Sequence, residues 1–164
     1  MNDEKGQLSG EYMLLVGSLI VVLMISIFMI ANENELNIAM AAAKSGADEG
    51  VASSSSAIYP KETFNEYDDM EGLKHPYSVS IVNVSYNSSG IDENYGKQKI
   101  QFKVYAKASV DYNKKELDSI GDRINYNLRK SVATSFNTTD STNKLYNPVF
   151  SNNYAFTTAN VVWV

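Results

Sequence analysis

Between Tyr12 and Ala31 the chain reads YMLLVGSLIVVLMISIFMIA, and no residue in that run is charged. Roughly 20 apolar residues at about 1.5 Å each match a hydrocarbon layer about 30 Å thick. In lipid the backbone must satisfy its own hydrogen bonds, so the run is predicted to be helical whatever its β-branched residues prefer in water. Taken alone, the run has three readings. A cleaved secretory signal has an apolar stretch of only about 7–15 residues followed by a small-residue site, which Ala39, Ala41, Ala42 and Ala43 mimic. A single-pass anchor needs the run and nothing more. A membrane helix that also serves assembly needs further marks beside it.

The remainder of the 164-residue chain is polar and rich in Asn, Ser, Thr and Tyr. Its formal charge of -5 excludes the basic footprint of a nucleic-acid binder. With 0 Cys there is no disulfide, no thiolate nucleophile and no cysteine zinc site. Lys5 is the only cation before the run, and Glu33, Glu35, Lys44, Asp48 and Glu49 follow it. That small bias places the N-terminus in the cytoplasm and the rest outside.

The marks in front of the run are Lys5-Gly6-Gln7-Leu8-Ser9-Gly10-Glu11-Tyr12. This string resembles the class III signal peptide of archaeal type IV pilins: a short hydrophilic leader ending in Gly, then Gln-x-Ser-x-Glu-Tyr, then a hydrophobic helix. Gln7, Ser9, Glu11 and Tyr12 stand at those places, and the resemblance covers about the first 31 residues. It implies that a membrane prepilin peptidase cuts between Gly6 and Gln7 and leaves the hydrophobic helix in the mature protein. It also implies assembly with copies of the chain or related pilins, driven by an assembly ATPase and a membrane platform protein.

Glu11 has two explanations. A carboxylate at a helix start is favoured by the unpaired N–H groups and the helix dipole by about 0.3–1 kcal/mol. The resemblance suggests instead a pairing between subunits. Buried in a filament core, a lone carboxylate would cost several kcal/mol, and the free amine of a neighbour's Gln7 would offset that cost and set the axial register.

The helix is predicted to continue past Ala31. From Asn32 to Ile58 there is no Pro, and Leu36, Met40, Ala43, Ala47 and Val51 form an apolar stripe at helical spacing. Gly46 and Gly50 are small residues four apart, which lets helices approach closely. Their partner is either the chain's own head or a neighbouring copy. Tyr59-Pro60 ends the helix.

Beyond Pro60 comes an acidic loop with Glu62, Glu66, Asp68, Asp69 and Glu71. Tyr77–Tyr86 reads as a strand whose alternation changes phase between Ile81 and Val82, which predicts a bulge. Asn87 through Gly96 reads as a turn. Ile100, Phe102, Val104, Ala106, Ala108 and Val110 then alternate with polar residues, the pattern of a half-buried strand paired with the previous one. Asn113 and Glu116 fit a capping box. Leu117, Ile120, Ile124 and Leu128 form the face of the helix it opens, and Arg129 and Lys130 suit its C-terminal end. Leu145–Phe150 and Tyr154–Val164 read as strands. The expected fold is α+β: a long N-terminal hydrophobic helix, then a small antiparallel-sheet head with one further helix. The domain plan is a leader over 1–6, a transmembrane and stalk helix over 7–58, and an extracellular head over 59–164.

No catalytic, metal or cofactor constellation is read from the sequence. His75 is alone, Asp68 and Asp69 read as solvated loop charges, and Asp92, Asn94 and Gly96 do not complete a calcium loop because Lys103 stands where a bidentate Glu is needed. Asn83, Asn87 and Asn137 head N-glycosylation sequons. Asn, Ser and Thr are so common here that about three such triplets arise by chance. The expected function is a structural subunit of a surface filament, with a non-polymerising anchored surface protein or adhesin as the alternative. No enzyme activity is expected.

Overall fold

The structure, a computed structural model, describes residues 3–52, 78–143 and 145–164, the first seven of these by backbone alone. The end of the stalk helix at Tyr59-Pro60, the acidic loop, His75 and the start of the first strand at Tyr77 lie outside the described residues. Helix α1 spans Asp3–Ala52. After it come β1 (Val79–Asp92), β2 (Lys97–Ala108), α2 (Lys114–Ser135), β3 (Val149–Phe150), β4 (Tyr154–Thr158) and β5 (Val162–Trp163). This is the α+β fold expected. The chain divides into two compact units, Met1–Asn37 and Ile38–Val164. The division falls inside α1, so the second half of the expected stalk belongs to the head unit.

β1 and β2 form the expected antiparallel hairpin. Its register shifts between Ile81 and Asn83, where the alternation changes phase. The turn is shorter than the sequence suggests. β1 runs on through Asn87 to Asp92, and a second register shift between Ser88 and Ile91 takes up Gly90, whose φ is +83. The chain reverses only after Asp92, whose carbonyl accepts from Gly96 N at 2.8 Å and whose Oδ1 accepts from Asn94 N at 3.0 Å.

The sheet is mixed, not antiparallel throughout. α2 carries the chain from the end of β2 back across the sheet, as a crossover does. β4 therefore pairs parallel with β2, from Gln98↔Tyr154 to Phe102↔Thr158, and β5 pairs parallel with it further on, at Tyr105↔Val162 and Ala106↔Trp163. The expected strand Tyr154–Val164 is thus two strands, and of Leu145–Phe150 only β3 is extended, antiparallel to β4.

The alternation of β2 holds from Ile100 to Ala106, but Ala108 is half-buried and Val110 lies past the strand's end and is exposed. Ile100, Phe102, Val104 and Ala106 are buried, while Lys99, Gln101, Lys103, Tyr105 and Lys107 share the other face. From α2 the core receives Ile120, Ile124, Leu128 and Val132, all buried; Leu117 is half-buried. Each such side chain contributes about 1.5–3 kcal/mol when fully buried. Phe156 of β4 stacks on Phe102 at 5.6 Å and on Phe136, just past α2, at 5.8 Å between ring centroids. The capping box holds α2 at its start: Asn113 Oδ1 accepts from Glu116 N, and Glu116 Oε2 accepts from Asn113 N, both at 2.9 Å.

Candidate functional site

The first unit presents one kind of surface. Its large apolar side chains from Tyr12 to Ile30 are exposed, from 51% at Ile20 to 76% at Leu14, with Val16 half-buried. They occupy every side of the helix, because the run has no polar face to spare. The most apolar window of α1 is 0% buried by the chain itself. The two serines in the run are satisfied within the helix: Ser18 Oγ donates to Leu15 O and Ser26 Oγ to Val22 O, both at 2.8 Å. α1 is long and apolar enough to cross a membrane.

Gly6, Gln7 and Ser9 lie on α1, with Glu11 and Tyr12 exposed immediately before the apolar run. One expectation needs correction. Glu11 is not at the start of the helix in the intact chain, because α1 begins at Asp3, two turns earlier. Dipole stabilisation fades within the first turn, so it does not account for a carboxylate here unless the leader is removed.

Gly46 and Gly50 are both buried against α2. A Cβ on Gly46 would lie 2.6 Å from Asn127 O and 2.7 Å from Ser131 Cβ; one on Gly50 would lie 2.8 Å from Ile124 Cα. Ala39, Ala42, Ala43 and Ala47 complete this buried stripe, while Ala41, Lys44, Ser45, Asp48 and Glu49 are exposed. Of the two partners open to these glycines, the chain's own head occupies them.

A second seam ties α2 to the C-terminal strands. Gly121 faces Val161, Asn125 Nδ2 donates to Ala159 O at 2.9 Å, and Arg129 donates to Leu145 O at 3.1 Å and to Thr158 Oγ1 at 2.5 Å. These positions are four apart on the helix and meet the strand segment in reverse order. Arg129 therefore serves this seam rather than the helix terminus, since α2 continues to Ser135. Sequence reasoning did not anticipate the buried Arg123 and Asn127 on the α1 side of α2.

All three sequon residues, Asn83, Asn87 and Asn137, are exposed. Asn83 and Asn87 pair with Tyr105 and Gln101, which places both on the outer face of the β1–β2 hairpin. Among the described residues no group of three His, Asp or Glu side chains gathers in a way that could hold a metal. No protein-family profile, curated protein or solved structure matches the chain.

Proposed function

We propose that this chain is a structural subunit, a major or minor pilin, of an archaeal type IV pilus-like surface filament. In this reading prepilin peptidase cuts between Gly6 and Gln7. The apolar half of α1 first holds the subunit in the membrane and then exchanges lipid for the same helices of neighbouring subunits. The observation that carries the reading is the uncovered apolar surface from Tyr12 to Ile30, lying directly behind Gln7-x-Ser9-x-Glu11-Tyr12. Contiguous apolar surface of this extent is unfavourable in water and calls for lipid or protein around it. The run alone asks only for lipid; the motif before it asks for processing and assembly. Assembly then draws its energy from a separate ATPase acting through a membrane platform protein.

The test is the N-terminal mass of the protein in two fractions: material sheared from the cell surface, and membranes extracted with detergent. A terminus at Gln7 in sheared filaments is the expected result. A chain that keeps Met1 and is found only in the membrane extract overturns the reading in favour of a non-polymerising anchored surface protein.

A further inference from the structure

We propose that a groove between the N-terminal half of α2 and β5 is a binding site for a neutral saccharide. The groove encloses about 390 Å³, within the range of small-ligand sites. Gly121 lines it beside Val161, where a Cβ would make a van der Waals contact with the valine at 3.4 Å. Trp163, the only Trp of the chain, forms part of the wall and is half-buried.

The polar groups of the wall divide into two kinds. Asp118 and Asp122 are acceptors, one helical turn apart. Lys114 supplies a donor, and the Asn160 amide can donate or accept. Asn125 also lines the groove and is 6% exposed; its Nδ2 is committed to Ala159 O, and its Oδ1 has no hydrogen-bond partner among the described residues. That oxygen is itself closed off from solvent, so Asn125 braces the wall and its Oδ1 is not one of the groups a ligand meets. The fitting ligand both donates and accepts along its rim and offers an apolar face to an indole. A pyranose ring does all three: its hydroxyls work in both directions, and its axial C–H groups pack on aromatic surface. Two carboxylates against one ammonium leave the wall negative, which disfavours acidic sugars. A bare amine would satisfy the carboxylates and the indole but leaves Lys114 opposed by a like charge. The inference does not depend on the filament reading, since the groove lies wholly within the Ile38–Val164 unit.

Trp163 provides the readout. The full-length chain, held in a detergent without a sugar headgroup, is titrated with maltose, lactose, cellobiose and chitobiose, with digalacturonate and spermidine alongside, while its fluorescence is followed. The expected result is a saturable change with at least one neutral disaccharide and weaker binding of digalacturonate. Asp122→Asn or Asp118→Asn should weaken the neutral sugar about tenfold or more, the scale of a hydrogen bond to a charged group. The proposal is overturned by no saturable change with any of the four neutral sugars in a chain shown by circular dichroism to be folded. It is equally overturned by both Asn variants binding as the unaltered chain does, or by a response to spermidine alone.

Discussion

Gly46 of α1 lies against Leu128 of α2 so closely that a Cβ on the glycine would stand 2.8 Å from the Leu128 Cα. The contact is backbone against backbone, so no side chain can swing away to make room. Alanine is the better helix former by about 0.8–1 kcal/mol, but overpacking of this kind costs about 1–3 kcal/mol. Gly46→Ala and Gly50→Ala should therefore each destabilise the head unit, by up to about 2 kcal/mol after that offset. Gly17→Ala is the matched control, because nothing among the described residues lies within 4 Å of a Cβ there. Thermal melts of the three purified variants in detergent check this. Equal melting temperatures for Gly46→Ala and Gly17→Ala would show that the stalk half of α1 does not press on α2.

The reciprocal pair at Asn113 and Glu116 gives a second expectation. Asn113→Ala removes the acceptor for Glu116 N and should cost about 1 kcal/mol, read as a lower denaturation midpoint with an unchanged denaturant slope. Asn113→Ser, which restores an acceptor, should recover most of that loss.

The parts of the fold legible in the sequence were those governed by local pattern. The phase change at Ile81 became a register shift, the capping box formed between the residues that spell it, and the alternation of β2 set which face is buried. The parts that escaped depend on partners distant in the chain. Asn87-Ser-Ser-Gly90 and Gly96 are competing turn signals; the Asp92–Gly96 hydrogen bonds took the reversal, and Gly90 was absorbed in a bulge. Parallel pairing of β4 and β5 with β2 has no mark in either strand alone. Arg129 suits the end of the helix by its place in the sequence, yet it reaches across to Thr158, and the buried Arg123 carries no sequence mark at all. For the candidate site, the apolar run and Gly46 with Gly50 were visible as composition and spacing. The groove at Trp163 was not, because its walls come from α2 and from a segment some forty residues later, joined only by tertiary structure.

Arg129 bridges the segment before β3 and the end of β4, donating to Leu145 O on one side and to Thr158 Oγ1 on the other. Lysine keeps the charge but has a single nitrogen and no planar fork. Arg129→Lys should cost about 1.5–3 kcal/mol, the scale of one hydrogen bond from a charged donor. Hydrogen exchange should show the loss concentrated at residues 145–158. A uniform loss of protection across α2 and β1 would contradict this local role.

Asp122 makes stability depend on pH. Asp122 is exposed as a residue, but partial desolvation of its carboxyl still raises it above the ordinary carboxylate value; Arg129 opposes the shift, and Asp118, one turn away, adds to it. A carboxyl raised in the folded state binds its proton more tightly there than in the unfolded chain. Its contribution is therefore neutral well below the unfolded value of 3.8 and becomes unfavourable as pH rises through the window up to the folded value. Asp122→Asn should melt higher than the unaltered protein at pH 7, and the difference should shrink as the pH falls towards 3.8. A difference that grows on acidification would reverse the assigned sign.

If the chain is a processed filament subunit, as proposed, Glu11 is the residue on which processing and assembly part company. In the intact chain it sits beyond the first turn of α1 and is exposed, so its charge is solvated and carries little energetic weight. Cleavage after Gly6 brings it to the fifth position of a new helix beginning at Gln7, next to the run that neighbouring subunits would cover. Covered there without a partner, a carboxylate costs several kcal/mol; paired with the amine of a neighbour's Gln7, it fixes how far one helix slides past the next. Glu11→Gln keeps the side chain's size and removes its charge. The precursor should still be cut between Gly6 and Gln7, since the substitution leaves both flanking residues in place, but the mature subunit should remain in the membrane and be missing from sheared filaments. Filaments built at the normal level from Glu11→Gln subunits would mean that apolar contact alone sets the register, and the carboxylate would then need another explanation.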